Sequence, residues 1–139
     1  MITQIMTAVD GSEYSLRAID YAVDLTTRYN ATLCVVHAYP HTSDLLGYDD
    51  FAKLVSRRKN AGQALLDKVR RQITGTNITI VEELIEGPEA EAILKIAEAS
   101  GIDLIVMGTR GLGSLKGILL GSVSRKVLHH AGCPVMVVR

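Results

Sequence analysis

Short apolar runs and longer amphipathic stretches alternate along the whole chain, and this alternation constrains the fold more than any other feature. The apolar runs fall at residues 2–9, 32–38, 78–85, 102–107 and 134–138, each the length of a β-strand. The run at 32–38 (TLCVVHA) is apolar almost throughout, as expected of a strand covered on both faces of a sheet. Between the runs the apolar period becomes helical. Within 13–29, Ala18, Ala22, Leu25 and Tyr29 form one stripe, with Leu16, Ile19 and Val23 beside it. Ser12 stands where its hydroxyl can cap that helix, and Asn30 where a left-handed residue can end it. After a loop at 39–50, a second helix is predicted over 50–73, with Gly62, Leu65, Leu66, Val69 and Ile73 inward. A third opens at Gly87-Pro88-Glu89 with Pro88 in its first position, carries Ala90, Ile93, Leu94 and Ala97 on one face, and stops at Gly101. A short fourth helix fits 122–130.

The order β-α-β-α-β-α-β-α-β predicts an α/β fold, an open parallel five-stranded sheet with helices on both faces. Two doubly wound strand orders fit, 3-2-1-4-5 and 2-1-3-4-5, and periodicity does not choose between them. The 139 residues suit one domain over 1–139, with no internal repeat or linker to divide it.

Composition narrows the function. Lysine plus arginine number 15 and aspartate plus glutamate 15, so a general electrostatic grip on nucleic acid or an anionic membrane is not expected. The absence of Trp and the single Phe leave few platforms for stacking bases of a single strand. No segment approaches the roughly 20 apolar residues that span a bilayer, so membrane insertion is not expected either. The first run lacks a basic start and is interrupted by Asp10, and two cysteines, Cys34 and Cys133, are too few for a disulfide framework. The expected compartment is the cytoplasm.

Ligands of open α/β sheets bind outside the carboxyl ends of the strands. Of the segments that follow those ends, 108–124 is the most informative. It holds five glycines, Gly108, Gly111, Gly113, Gly117 and Gly121, with Arg110 and Lys116 among them. Glycine allows close backbone approach, successive N–H groups can turn toward one anion, and Gly121-Ser122 opens a helix whose N-terminus favours phosphate. A merely flexible connection would not need these features together. The standard phosphate loops do not match. Gly108 and Gly113 have the Walker A spacing, but Ser114-Leu115 replaces its Lys-Ser/Thr. Gly111 and Gly113 begin a dinucleotide fingerprint, but Lys116 occupies the third glycine position. The spacing present is Gly108-x2-Gly111-x9-Gly121-Ser122.

Other candidates are weaker. Asp10 is either an acid at a helix N-terminus, a stabilisation of about 0.3–1 kcal/mol, or a ligand residue at the end of the first strand. His37 and His41 are four apart, but Pro40 intervenes and a zinc site is not expected. No Ser-His-Asp set or carboxylate pair stands out, although distant residues could assemble one.

With Asp10 in the turn AVDGS, the segment VMGTRGLG, the helix start GSVS and the ending CPVMVV, the glycine spacing resembles the universal stress protein family in its ATP-binding branch, over the whole chain. The resemblance implies strand order 3-2-1-4-5, with ATP and a divalent cation, Mg²⁺, at the carboxyl ends of the first and fourth strands. It implies that Ala8 and Val9 line the adenine, that Ala38 meets it through its backbone, and that Asp10 faces the ribose, the phosphates or the metal. Met107 and Gly108 would flank the ribose, and Arg110, Gly111, Leu112 and Gly113 would wrap sugar and phosphates. Gly121, Ser122, Val123 and Ser124 would offer N–H and hydroxyl groups to the phosphates, the N–H of Gly121 foremost. In the implied order, residues 134–138 form an uncharged apolar edge strand, so a homodimer through that edge is expected. No general base is visible beyond Asp10, so the expected role is regulatory, in a stress response, with slow hydrolysis at most. Two alternatives stand beside it: an interaction module that binds no nucleotide, and a slow ATPase of a related adenine-nucleotide fold.

Overall fold

The computed structural model describes residues 1–43, 45, 47–110 and 120–139. In chain order the elements are β1 (Gln4–Ala8), α1 (Glu13–Tyr29), β2 (Thr32–Tyr39), α2 (Tyr48–Ile73), β3 (Thr79–Glu86), α3 (Glu89–Ala99), β4 (Leu104–Gly108), α4 (Ser122–His130) and β5 (Val135–Val138). The strands form one parallel sheet in the order β3-β2-β1-β4-β5. Of the two orders that periodicity allowed, the structure has the one that puts the switch point, and the crevice outside it, between β1 and β4.

Strand alternation splits the core in two. Ile5, Leu33, Val35, Val106 and Val138 pack against Ala18, Ile19 and Ala22 of α1 and Leu66, Val69 and Ile73 of α2. Met6, Cys34, Val36, Ile105 and Met107 face the opposite way, onto Ala90, Ile93, Ile96 and Ala97 of α3 and Val127 of α4. Burying a side chain of Leu, Ile or Val size contributes roughly 1.5–3 kcal/mol, so both helix layers are needed to close the sheet. Burial pushes the Cys34 thiol up to about 11, with Glu83 adding to it, which keeps it an inert core residue.

Local signals place the turns. The Ser12 hydroxyl accepts from the N–H of Ser15 at 3.2 Å, capping α1, and Asn30 ends it in the left-handed region at φ 51°. Two starts differ from the sequence expectation. Helix α2 begins at Tyr48, because Asp49 and Asp50 favour a first turn. Pro88 is the N-cap of α3 rather than its first residue, leaving its carbonyl to accept from Ala92 at 3.0 Å. Among the described residues, no helix is long and apolar enough to cross a membrane.

Candidate functional site

Where the carboxyl ends of β1, β2 and β4 meet the starts of α1, α3 and α4, the molecule opens into a cavity of about 940 Å³. Its wall includes every described residue that the sequence pointed to. Ala8, Val9 and Asp10 come from the end of β1, Ala38 from β2, and Met107, Gly108 and Arg110 from β4 and the residue pair after it. Gly121, Ser122, Val123 and Ser124 come from the start of α4. Gly111, Leu112 and Gly113 lie outside the described residues, as do Lys116 and Gly117.

The β1–α1 turn is held by its own polar groups. The Asp10 carboxylate accepts from the Ser12 N–H at 2.9 Å, and the Asp10 N–H donates to the Ser15 hydroxyl at 3.3 Å. Gly108 lets α1 sit directly on the end of β4: a Cβ there would lie 2.7 Å from the carbonyl carbon of Tyr14 and 2.9 Å from the Ser15 nitrogen. Arg110 folds back over Tyr14, with its guanidinium 4.6 Å from the ring centroid and Nη2 donating to the phenol at 2.5 Å. The Nε of Arg110 is buried and has no partner among the described residues.

The start of α4 corrects part of the expected donor set. The Gly121 N–H donates to the Thr109 carbonyl at 2.7 Å, so it is used within the protein. The Ser124 hydroxyl, 2.7 Å from the same carbonyl and 3.2 Å from that of Gly121, is also engaged inside. These bonds tie α4 to the end of β4, and Thr109 in turn donates to the Val138 carbonyl at 2.8 Å. Among the described residues, no side chain caps the helix. The N–H groups of Ser122, Val123 and Ser124 and the Ser122 hydroxyl therefore remain, among the described residues, as the donors of this turn, where the helix dipole also favours an anion.

Sequence reasoning missed a second wall. Arg58, Ala61, Gly62 and Leu65 of α2, His37 of β2, and Glu89 and Ile93 of α3 also line the cavity. Arg58 Nη1 donates to the His41 carbonyl at 2.7 Å and to the Thr42 hydroxyl at 2.9 Å, fixing the chain that leaves β2. The Glu89 carboxyl is held above the usual carboxylate range, first by burial and then by Asp10, with His37 opposing both. One signal was present: a glycine in the middle of α2, where alanine would favour the helix by about 1 kcal/mol. A Cβ at Gly62 would lie 2.7 Å from Leu84 Cδ1 and 2.9 Å from His37 Cδ2, so the glycine marks a close approach of α2 to β2 and β3.

Comparison with known proteins agrees with this architecture. A universal stress protein of Thermus aquaticus is 40% identical over 141 residues, covering 100% of each chain. The solved structure of the universal stress protein UspA from Lactobacillus plantarum superposes with a TM-score of 0.89 at 25% identity, covering 99% of this chain and 97% of its own. A universal stress protein solved in complex with cAMP superposes with a TM-score of 0.75 at 28% identity, covering 99% and 97%. The sequence model of the Universal stress protein family matches residues 1–139. With that match and those relatives in agreement, the chain belongs to the universal stress protein family.

Proposed function

We propose that the cavity binds ATP with Mg²⁺, and that the chain is a cytoplasmic regulatory protein of the stress response for which the nucleotide is a ligand. One observation carries the reading: segments far apart in sequence bring an apolar wall, the Asp10 carboxylate and the uncapped first turn of α4 to one cavity. Val9, Val36, Ala38, Leu65 and Ile93 supply surface for a base, and the N–H groups of Ser122, Val123 and Ser124 suit phosphate oxygens. Among the described residues, no three His, Cys, Asp or Glu side chains converge to hold a metal. That suits Mg²⁺ arriving on the nucleotide, because Mg²⁺ is commonly held by one or two carboxylates together with substrate phosphates. Asp10, with one oxygen already bonded to Ser12, is the residue that would take it. The cAMP-bound relative supports a nucleotide in this fold.

Calorimetric titration with Mg-ATP tests the reading on the wild type and on Gly121→Val. Gly121 is extended, at φ −73° and ψ 169°, a conformation valine adopts readily, so circular dichroism should be unchanged. The new side chain would occupy the approach to the first turn of α4 and should weaken binding at least tenfold. A folded variant that binds like the wild type would leave the interaction-module reading in place.

The same proposal includes a homodimer. Strand β5 is an edge whose Val135, Met136 and Val137 are only partly covered, whereas the opposite edge, β3, carries Glu82, Glu83 and Glu86. An uncharged edge invites pairing with its own copy, and charges discourage it. Sedimentation equilibrium should find a dimer, and Val137→Lys a monomer. A wild type that is monomeric at micromolar concentration contradicts this part.

A further inference from the structure

Helix α2 holds seven of the chain's 15 Lys and Arg residues against three acids, although the chain as a whole has no net charge. Four of those cations share one face. At 3.6 residues per turn, Lys53, Arg57, Asn60, Ala64, Lys68 and Arg71 fall within an arc of about 80°. That arc lies opposite the buried Gly62, Leu66, Val69 and Ile73, and all six of its residues are exposed. From Lys53 to Arg71 it contains no carboxylate, over a length of about 27 Å. Two cations off this stripe are used inside the molecule: Arg70 donates to Glu82 of β3 at 2.8 Å, and Arg58 to the His41 carbonyl at 2.7 Å. Among the described residues, none of Lys53, Arg57, Lys68 and Arg71 forms a salt bridge.

Two features narrow what this stripe can hold. Carboxylates border it on both sides. Asp67, which accepts from Gln63 at 3.1 Å, and Glu82 lie toward β3, and Asp20 of α1, which accepts from Gln72 at 3.2 Å, lies on the other. A nucleic-acid duplex or an anionic bilayer spread over α2 would press phosphates against these acids. A single helix, about 10 Å across, can follow the stripe and leave them aside. The cations also fall in two pairs, Lys53 with Arg57 and Lys68 with Arg71. Arg57 and Lys68 are 11 residues apart, about 16 Å, and the interval carries Asn60 and Ala64. The short side chain of Ala64 lets a second helix come close at mid-stripe.

We propose that the solvent face of α2 docks an acidic helix of a partner protein, one with two carboxylate pairs three turns apart on one face and a small residue between them. The contact needs no nucleotide, although the same helix lines the cavity through Gly62 and Leu65. Exposed ion pairs each add little, so the contact is weak and weakens further with salt.

The probe is an alanine-based helical peptide with two Glu pairs 11 residues apart, the spacing of Arg57 and Lys68, titrated into the ¹⁵N-labelled full chain. A control peptide of the same composition sets its pairs six residues apart, on different faces of the helix. The first peptide should shift the amides of α2 between Lys53 and Arg71 and bind at least fivefold tighter than the control. Arg57→Glu and Lys68→Glu are exposed changes that should leave circular dichroism unaltered, and each should weaken the first peptide at least threefold. A peptide with Lys in place of Glu in the facing pair should recover the loss. Ala64→Gln changes no charge and should weaken the peptide as well, because it holds the two helices apart. Equal binding of the two peptides, or amide shifts centred outside α2, overturns the proposal. So does tighter binding of a DNA duplex or of phosphatidylserine vesicles than of the first peptide.

Discussion

The two ends of the sheet are made from the same alternating elements, yet they treat their polar groups in opposite ways. At the amino end the chain closes on itself. The Asp103 carboxylate accepts from the N–H groups of Thr3 and Gln4 at 2.8 and 3.0 Å and from the Thr3 hydroxyl at 3.1 Å. Asn30 and Gly101 turn left-handed, and the residues after them donate back into α1 and α3, Ala31 to Thr26 and Ile102 to Ala97, each at 2.9 Å. At the carboxyl end, among the described residues, the first turn of α4 has no side-chain cap and the Arg110 Nε lacks a partner, and the half-buried Glu89 carboxyl is held above its usual range by burial. Folded chains satisfy nearly all of their buried polar groups. Of the two buried side-chain atoms without a partner among the described residues, Thr7 Oγ1 lies within β1 and Arg110 Nε at the cavity. The amino end is thus closed by its own bonds, while the carboxyl end keeps donors and a strained acid beside the cavity.

Three substitutions would break or sharpen that contrast. The largest effect is expected of Gly108→Val, where even the first side-chain carbon would strike the Tyr14 and Ser15 backbone. Overpacking of this kind costs about 1–3 kcal/mol, and urea unfolding should show it together with loss of ATP binding, because α1 and the β1–α1 turn would move. Next is Asp103→Asn at the other end. Backbone N–H groups of Thr3 and Gln4 hold that carboxyl below its usual range. A depressed folded value means the stabilisation is present above the ordinary aspartate value of about 3.9 and is lost as pH falls through the lower folded one. The variant should therefore unfold at lower urea at pH 7, converge with the wild type in strong acid, and bind ATP within about twofold of it. Weakened binding would show that the ends are not independent. The smallest effect is that of Glu89→Gln. The folded value is raised, so the ionised carboxylate opposes folding once pH exceeds that value and costs nothing below the ordinary glutamate value of about 4.3. The variant should be slightly more stable than the wild type at pH 7 and equal to it near pH 3. The reverse order at pH 7 would mean that the acid's favourable place in the first turn of α3 outweighs its burial.

Legibility in the sequence follows the same division. Closed turns are local, so Ser12, Asn30 and Gly101 could be assigned from their neighbours, and the strand and helix order followed from apolar periods. The glycine spacing pointed to the segments of β4 and α4, and the family resemblance to those of β1 and β2, because those residues cluster in short segments. The wall from α2 and α3 depends on how helices lie across the sheet, and His37, Gly62 and Glu89 meet only there. The internal use of the Gly121 N–H and the Ser124 hydroxyl was likewise hidden, since their acceptor, Thr109, is 12 and 15 residues upstream across the connection from β4.

The central claim is that nucleotide binding belongs to the carboxyl end alone, through the first turn of α4. Backbone amide spectra of the ¹⁵N-labelled chain, recorded during titration with Mg-ATP, test it most directly. Large shifts are expected for the N–H groups of Ser122, Val123 and Ser124, with those of Thr3 and Gln4 unmoved. Saturable binding that leaves the three α4 amides in place, or that moves the amino-end pair as far, would contradict it.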